Sequence, residues 1–139
     1  MITLRILKLL EQNGFGTIDV DGTLTEDGLY FEKMPQGATG VAIFSRGATM
    51  GHGLRRTQAF DLYSRGTDDV EGMQKLENIT ELMLDSLTVC SLPEVDEYDD
   101  TPYERCSIVP VSNVENAGMD ENDRVLYVMT AQITYNVGQ

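Results

Sequence analysis

The sequence predicts an α+β domain: a mostly antiparallel sheet with two helices packed on it and a long hairpin or arm. Three observations carry that prediction. Apolar residues recur every three or four positions in only two stretches, 2–10 and 70–83, which is the period of a helix face. Elsewhere they alternate or run together between turn signals, the pattern of strands. The 139 residues, 41% of them hydrophobic, suffice to bury one core, and no linker or internal repeat divides them. Residues 1–139 therefore read as a single domain.

The first helix lies in MITLRILKLLEQNG. Thr3 is placed to cap it, Ile2, Ile6, Leu9 and Leu10 share its apolar face, and Asn13-Gly14 is a left-handed stop. The segment has no uninterrupted apolar core and no small-residue cleavage site, so it is read as helix and not as a signal peptide. The Gly- and Asp-rich stretch 14–28 leaves room for little more than a short strand. Residues 29–34 form a brief strand ended by Pro35, and 40–45 (GVAIFS) a core strand. Residues 46–57, glycine-rich and locally basic, read as a long hairpin loop or an extended arm. In 58–65 Phe60 and Leu62 fall on one face, Asp61 and Tyr63 on the other.

The second helix is the most strongly signalled element. Asp68 is placed to cap it, with Glu71 three residues on, and Val70, Met73, Leu76, Ile79, Leu82 and Met83 form its stripe. Beyond it, PEVDEYDDTP is a Pro-bounded acidic segment that reads as a solvated loop. Residues 106–112 read as a strand interrupted by Pro110, hence near a sheet edge, and 113–123 as a polar turn. Residues 124–137 carry the longest alternation: Val125, Tyr127, Met129, Ala131, Ile133, Tyr135 and Val137 face one way, Thr130, Gln132, Thr134 and Asn136 the other. A strand about twice the usual length tends to reach beyond its own sheet.

Charge and composition exclude several functions. Ten Lys and Arg against 23 Asp and Glu give a formal charge of -13. Such a chain is unsuited to wrapping nucleic acid by phosphate neutralisation or to sitting on anionic lipid. Its apolar runs fall far short of the ~20 residues that span a bilayer. Cys90 and Cys106 are too few for a disulfide scaffold or a four-ligand zinc site and read as small buried residues of a reduced chain. His52 is the single histidine; it sits between two glycines and reads as a loop residue. No metal or cofactor is expected.

Residues 18–25 spell IDVDGTLT. The string resembles the first motif of the haloacid dehalogenase phosphatases. That resemblance implies Asp19 as phosphoryl-accepting nucleophile, Asp21 as general acid, and Mg²⁺ beside them. The flanks point elsewhere. In that family the motif follows a buried parallel strand, whereas NGFGTI is glycine-broken. Lys75 falls on a polar helix face, and Asp68-Asp69 starts a helix. A small Mg-dependent phosphatase is thus the alternative reading, and the primary one is a turn in which Asp and Gly serve the backbone. Arg46, Arg55, Arg56 and Arg65 place four of the ten basic residues within a span of twenty. Basic residues there suit an acidic face on a neighbouring copy. Arg46, His52, Arg55 and Arg56 are accordingly the candidate intersubunit residues, and no residue is assigned a catalytic role.

Four segments, LLEQNGFGTI, VAIFSRGA, FDLYSRGTDDVEGMQKLENITELM and MDENDRVLYVMTAQITYNV, resemble over nearly the full chain the tail terminator proteins of long-tailed bacteriophages, a group also labelled phage minor capsid protein. The acidic segment 93–102 and the DVDGTLT string depart from that pattern. The resemblance implies a structural protein of the virion tail or neck, assembled in the host cytoplasm. It implies a homo-hexameric ring at the head-proximal end of the tail tube, which stops tube polymerisation. Its implied partners are other copies of itself, the tail tube protein and the head-tail connector protein. DNA would pass through the lumen without specific binding, and no membrane or cofactor is involved.

Overall fold

The computed structural model describes residues 2–50, 55–93, 103–120 and 122–136. In chain order the elements are α1 (Ile2–Gln12), β1 (Thr17–Ile18), β2 (Gly28–Phe31), β3 (Gly40–Met50), β4 (Arg55–Arg65), α2 (Asp69–Ser86), β5 (Cys90–Leu92), β6 (Tyr103–Pro110), β7 (Glu115–Met119) and β8 (Val125–Asn136). The eight strands form one sheet in the order β1-β2-β3-β4-β8-β6-β5, with β7 also paired to β8. The α+β class is as the sequence predicts. The sheet, however, is mixed: β1, β2 and β3 run parallel, and the remaining pairings are antiparallel. His52 and the acidic residues 94–100 lie outside the described residues.

Helix α1 ends where Asn13-Gly14 predicts. Gly14 adopts φ 83°, its N–H donates to Glu11 O, and the Phe15 N–H donates to Leu10 O, each at 3.1 Å. This is a Schellman stop, open to a residue without Cβ strain. Thr3 is no cap, because the helix is already running at Ile2; its hydroxyl lies 3.3 Å from Ser45 Oγ instead. Ile2, Ile6, Leu7 and Leu10 are buried, and Leu9, expected inward, is half-buried.

Strand β2 stops at Phe31, short of residue 34, where Glu32 turns to φ 56°. Its register partner for Gly28 is Gly40. A Cβ on Gly40, which holds φ 133°, would stand 2.1 Å from Gly28 O. The parallel β2–β3 pair therefore requires glycine at that point. Beyond Ser45, where a loop was one expectation, β3 continues as strand past a bulge between Ser45 and Ala48 to Met50↔Arg56. The described part of 46–57 is thus paired strand, and residues 51–54 lie outside the described residues. The polar turn expected over 113–123 contains β7, whose side chains are all exposed and whose pairing comes from β8. Pro110 is the last residue of β6 and sits beyond the reach of β5, which pairs only with 103–106.

Helix α2 begins at the predicted cap. Asp68 Oδ1 accepts the Glu71 N–H at 2.8 Å, while the Glu71 carboxylate turns back to the N–H and hydroxyl of Thr67. Gly72, Leu76, Ile79 and Met83 face inward. Val70 and Met73, assigned to the inner stripe, are exposed. A Cβ at Gly66 would lie 2.6 Å from Gly72 N. The helix start thus rests directly on the chain leaving β4, and that contact selects the Gly72 face and turns Val70 and Met73 outward.

Both helices cover one face of the sheet. There Leu29, Val41, Ile43, Phe60, Leu62, Met129, Ala131 and Ile133 meet the apolar sides of α1 and α2. The opposite face carries a second, smaller core of Tyr30, Ala38 and Ala42, flanked by Leu24, Met34, Phe44 and Tyr63. Its roof is made of the segments that follow β1 and β2. Leu76 is fully buried at the centre of α2. Leu76→Ala is expected to lower unfolding free energy by about 2–5 kcal/mol, measured by urea titration. A midpoint equal to wild type would mean that α2 is not packed on the sheet in this way.

Candidate functional site

The DVDGTLT segment leaves β1, a strand of two residues at the outermost edge of the sheet. The Asp19 N–H still donates to Leu29 O at 3.0 Å, after which the chain turns. Asp19 Oδ1 accepts the Leu24 N–H at 3.1 Å, bridging the turn. Its side chain is fully covered, and Oδ2, which accepts no hydrogen bond, faces Lys33 Nζ at 3.3 Å as an ion pair. Asp21 Oδ1 accepts the N–H of Thr23 at 3.2 Å and its hydroxyl at 2.6 Å, the self-closing turn that Asp favours. Inside the turn, the buried Tyr30 hydroxyl donates to Thr39 O at 3.0 Å.

These bonds fix the charge state of both carboxyls. The Leu24 N–H, with the Lys33 ammonium, holds Asp19 below its ordinary pKa. The Thr23 hydroxyl, then the Thr23 N–H, holds Asp21 below its own. A general acid working near neutrality needs the opposite shift. Lys33 stands beside Asp19 as its ion-pair partner. Among the described residues, however, no three His, Cys, Asp or Glu side chains gather where they could hold a metal ion. Asp19 and Asp21 act here as acceptors that shape a loop over the second core.

The four clustered arginines separate into two groups. Arg46 lies on the outer part of β3, half-exposed, with Nε 3.6 Å from Asp61 Oδ2. Arg55 opens β4, and its Nη1 donates to Asn136 Oδ1 across the ladder at 3.1 Å. Arg56 follows it, in register with Met50 and Tyr135. Arg65 does not belong with them. It is buried, donates from Nε to Ala38 O at 2.8 Å and from Nη2 to Pro35 O at 2.6 Å, and faces Asp120 Oδ2 at 3.6 Å. Asp120 in turn accepts the Asn122 and Arg124 N–H groups at 2.9 Å and pairs with Arg124 Nε at 3.2 Å. Arg65 thereby ties the segment after β2 to the turn before β8. Sequence reading missed this clamp, since nothing local to Arg65 or Asp120 joins residues so far apart.

Between α2 and the segment after β6 runs an open groove of about 790 Å³. Leu84, Val111 and Val114 supply its apolar part and Glu77, Glu81 and Glu115 its acidic rim. Among the described residues no helix is long and apolar enough to cross a membrane. The chain matches no protein-family model and no curated protein sequence.

Two outcomes follow from these contacts. Asp19→Asn keeps an oxygen for the Leu24 N–H but loses the ion pair with Lys33, so the variant should fold with a somewhat lower unfolding midpoint than wild type. Neither protein should hydrolyse an aryl phosphate in the presence of Mg²⁺; turnover abolished by the substitution would establish the phosphatase reading. Asp120 carries the pH test. Its carboxyl is held below the ordinary 3.8, first by the Arg124 N–H. A carboxyl depressed in the folded state stabilises above its unfolded pKa, and that stability disappears as pH falls through the folded value. Urea titrations from about pH 6 to about pH 2 should show stability dropping below about pH 4. Asp120→Asn should start lower at neutral pH and drop less. An acid limb of equal depth in both proteins would remove Asp120 from this role.

Proposed function

We propose that this chain is a virion structural protein, a tail terminator that closes as a ring on the head-proximal end of a phage tail tube and joins it to the head connector. The observation that carries the reading is the arm. Beyond Ser45 the described part of β3 pairs with β4 alone, because β2 has ended at Phe31. An open strand edge offers backbone donors and acceptors to another chain. Arg46 and Arg55 stand at this same end of the sheet. The acidic-rimmed groove on α2 lies on a different part of the surface, so a contact between the arm of one copy and the acidic side of the next is heterologous. Repeated head to tail, such contacts close rings. The resemblance to tail terminators adds the location, the partners and the sixfold copy number.

The overall charge of -13 supports the same reading. A conduit through which DNA must slide is better lined by carboxylates than by lysines, because phosphate neutralisation is what retains DNA. No catalytic residue is invoked.

The test is assembly. Concentrated wild-type protein at low salt should sediment as an oligomer and show closed rings by negative stain. Arg55→Glu combined with Arg56→Glu should reduce that species while circular dichroism stays unchanged. Added salt should act in the same direction, since partly exposed pairs are screened. An oligomer indifferent to charge reversal would separate the arm from assembly. A protein that stays monomeric under every condition and fails to bind tail tubes would remove the terminator reading.

A further inference from the structure

The two cysteines of the chain, sixteen positions apart in sequence, are direct register partners across the antiparallel β5–β6 pair. Both side chains fall on the core side: Cys106 is buried within the main core and Cys90 is packed against it. Residues opposed in an antiparallel pair have Cα atoms about 4.5–5.5 Å apart. That lies inside the range of about 4.4–6.8 Å over which a disulfide spans two residues. Next to Cys106 the register shifts, Leu92 pairing with Tyr103, and Arg105 takes φ 55°. Such a bulge twists the strand locally and gives the pair room to adjust.

We propose that Cys90 and Cys106 form a dithiol site that closes to a cross-strand disulfide on exchange with a low-molecular-weight disulfide such as oxidised glutathione. The half-buried Cys90 is the more accessible of the two and meets the reagent first. Its sulfur bonds to one glutathione sulfur as the reagent's S–S bond breaks, releasing one glutathione thiol. The Cys106 sulfur then attacks Cys90 Sγ and expels the second glutathione. Two electrons pass from the protein dithiol to the reagent, and the two thiol protons end on the two released glutathiones.

The surroundings set the rate and the consequence. Burial, and next the neighbouring Cys106, push the Cys90 thiol up to about 11. Thiolate is therefore scarce near neutrality and closure is slow. Cys106 Sγ lies 3.3 Å from Tyr103 O and is a free thiol. Among the described residues, strand β5 is three residues long and pairs with β6 alone. It is the kind of edge that opens locally at low cost, giving Cys106 access to the mixed disulfide. Once closed, the bond ties β5 to β6 and encloses the acidic segment 94–100 in a short covalent loop. The inference does not depend on the terminator reading.

The test uses the wild-type chain in glutathione buffers of rising oxidised fraction. Thiols are counted after denaturation, and the intact mass is measured beside them. The expected result is a loss of both titratable thiols with a mass decrease of two hydrogens, no covalent dimer, and a thermal midpoint raised by on the order of 10 °C. Cys106→Ser should instead accumulate glutathione on Cys90. Retention of both thiols in the oxidising buffer, a stable glutathione adduct on wild type, or dimers linked between chains would each overturn the proposal. Because the wild-type chain gives the readout, a variant that folds poorly does not remove it.

Discussion

The rest of this structure depends on the β4–β8 ladder. Ten consecutive residue pairs, from Arg55↔Asn136 to Ser64↔Tyr127, run in register without a bulge. That phase places Phe60 and Leu62 on the same side as Met129, Ala131 and Ile133, under the helices. It places Asp61 against Thr130, whose hydroxyl it accepts at 2.6 Å, and Thr57 against Thr134 on the other side. A slip of one residue would exchange the two faces and bury these polar groups beneath α2. Every other strand is attached to one side of this pair: β3 and the parallel strands to β4, and β6, β5 and β7 to β8.

The parallel extension from β3 to β1 is held by different means. No helix crosses between β1, β2 and β3, so the connecting segments must satisfy their own polar groups. Asp19, Asp21, the Tyr30 hydroxyl and Arg65 do this from four directions. Aspartate and glycine are favoured in such segments because the carboxylate accepts local N–H groups and glycine takes positive φ. The phosphatase-like string is made of the same residue types for that reason. Here local donors keep both carboxyls ionised, and each accepts N–H groups of the loop it belongs to.

Legibility in the sequence followed how local each determinant is. The Asp68 cap, the Asn13-Gly14 stop and the alternation of 125–136 are encoded within a few residues, and all are present in the fold, while Val137 lies outside the described residues. β7 was not legible: ENAGM has neither alternation nor β-branched residues, and it is a strand because β8 offers it an edge. The parallel order of β1 to β3 was hidden for a related reason. Gly28 read as the end of a loop and Gly40 as the start of a strand, and only the register shows that they face each other across a ladder, so closely that a Cβ on Gly40 would stand 2.1 Å from Gly28 O. Val70 and Met73 fit the helical period but lost their place to Gly72, whose lack of a side chain gives no hydropathy signal. For the arm, the basic composition of 46–57 was visible. That Arg65 belongs to a buried clamp and not to that cluster was visible only in three dimensions.

Charge distribution constrains how copies of this chain meet. Lys8, Lys33, Arg46, Arg65, Lys75 and Arg124 all face carboxylates of their own chain. Arg5 is buried, with its guanidinium 4.6 Å from the centroid of the Tyr103 ring. These pairs occupy six of the ten cations, and the 23 acidic residues outnumber all the cations of the chain. Two such bodies repel each other when they approach through their helical sides, where Glu77, Glu81 and Glu115 rim the groove. An approach that brings in the end of the sheet bearing Arg46 and Arg55 avoids that repulsion and presents the unpaired edge of β3 at the same time. Backbone pairing and charge therefore favour the same face.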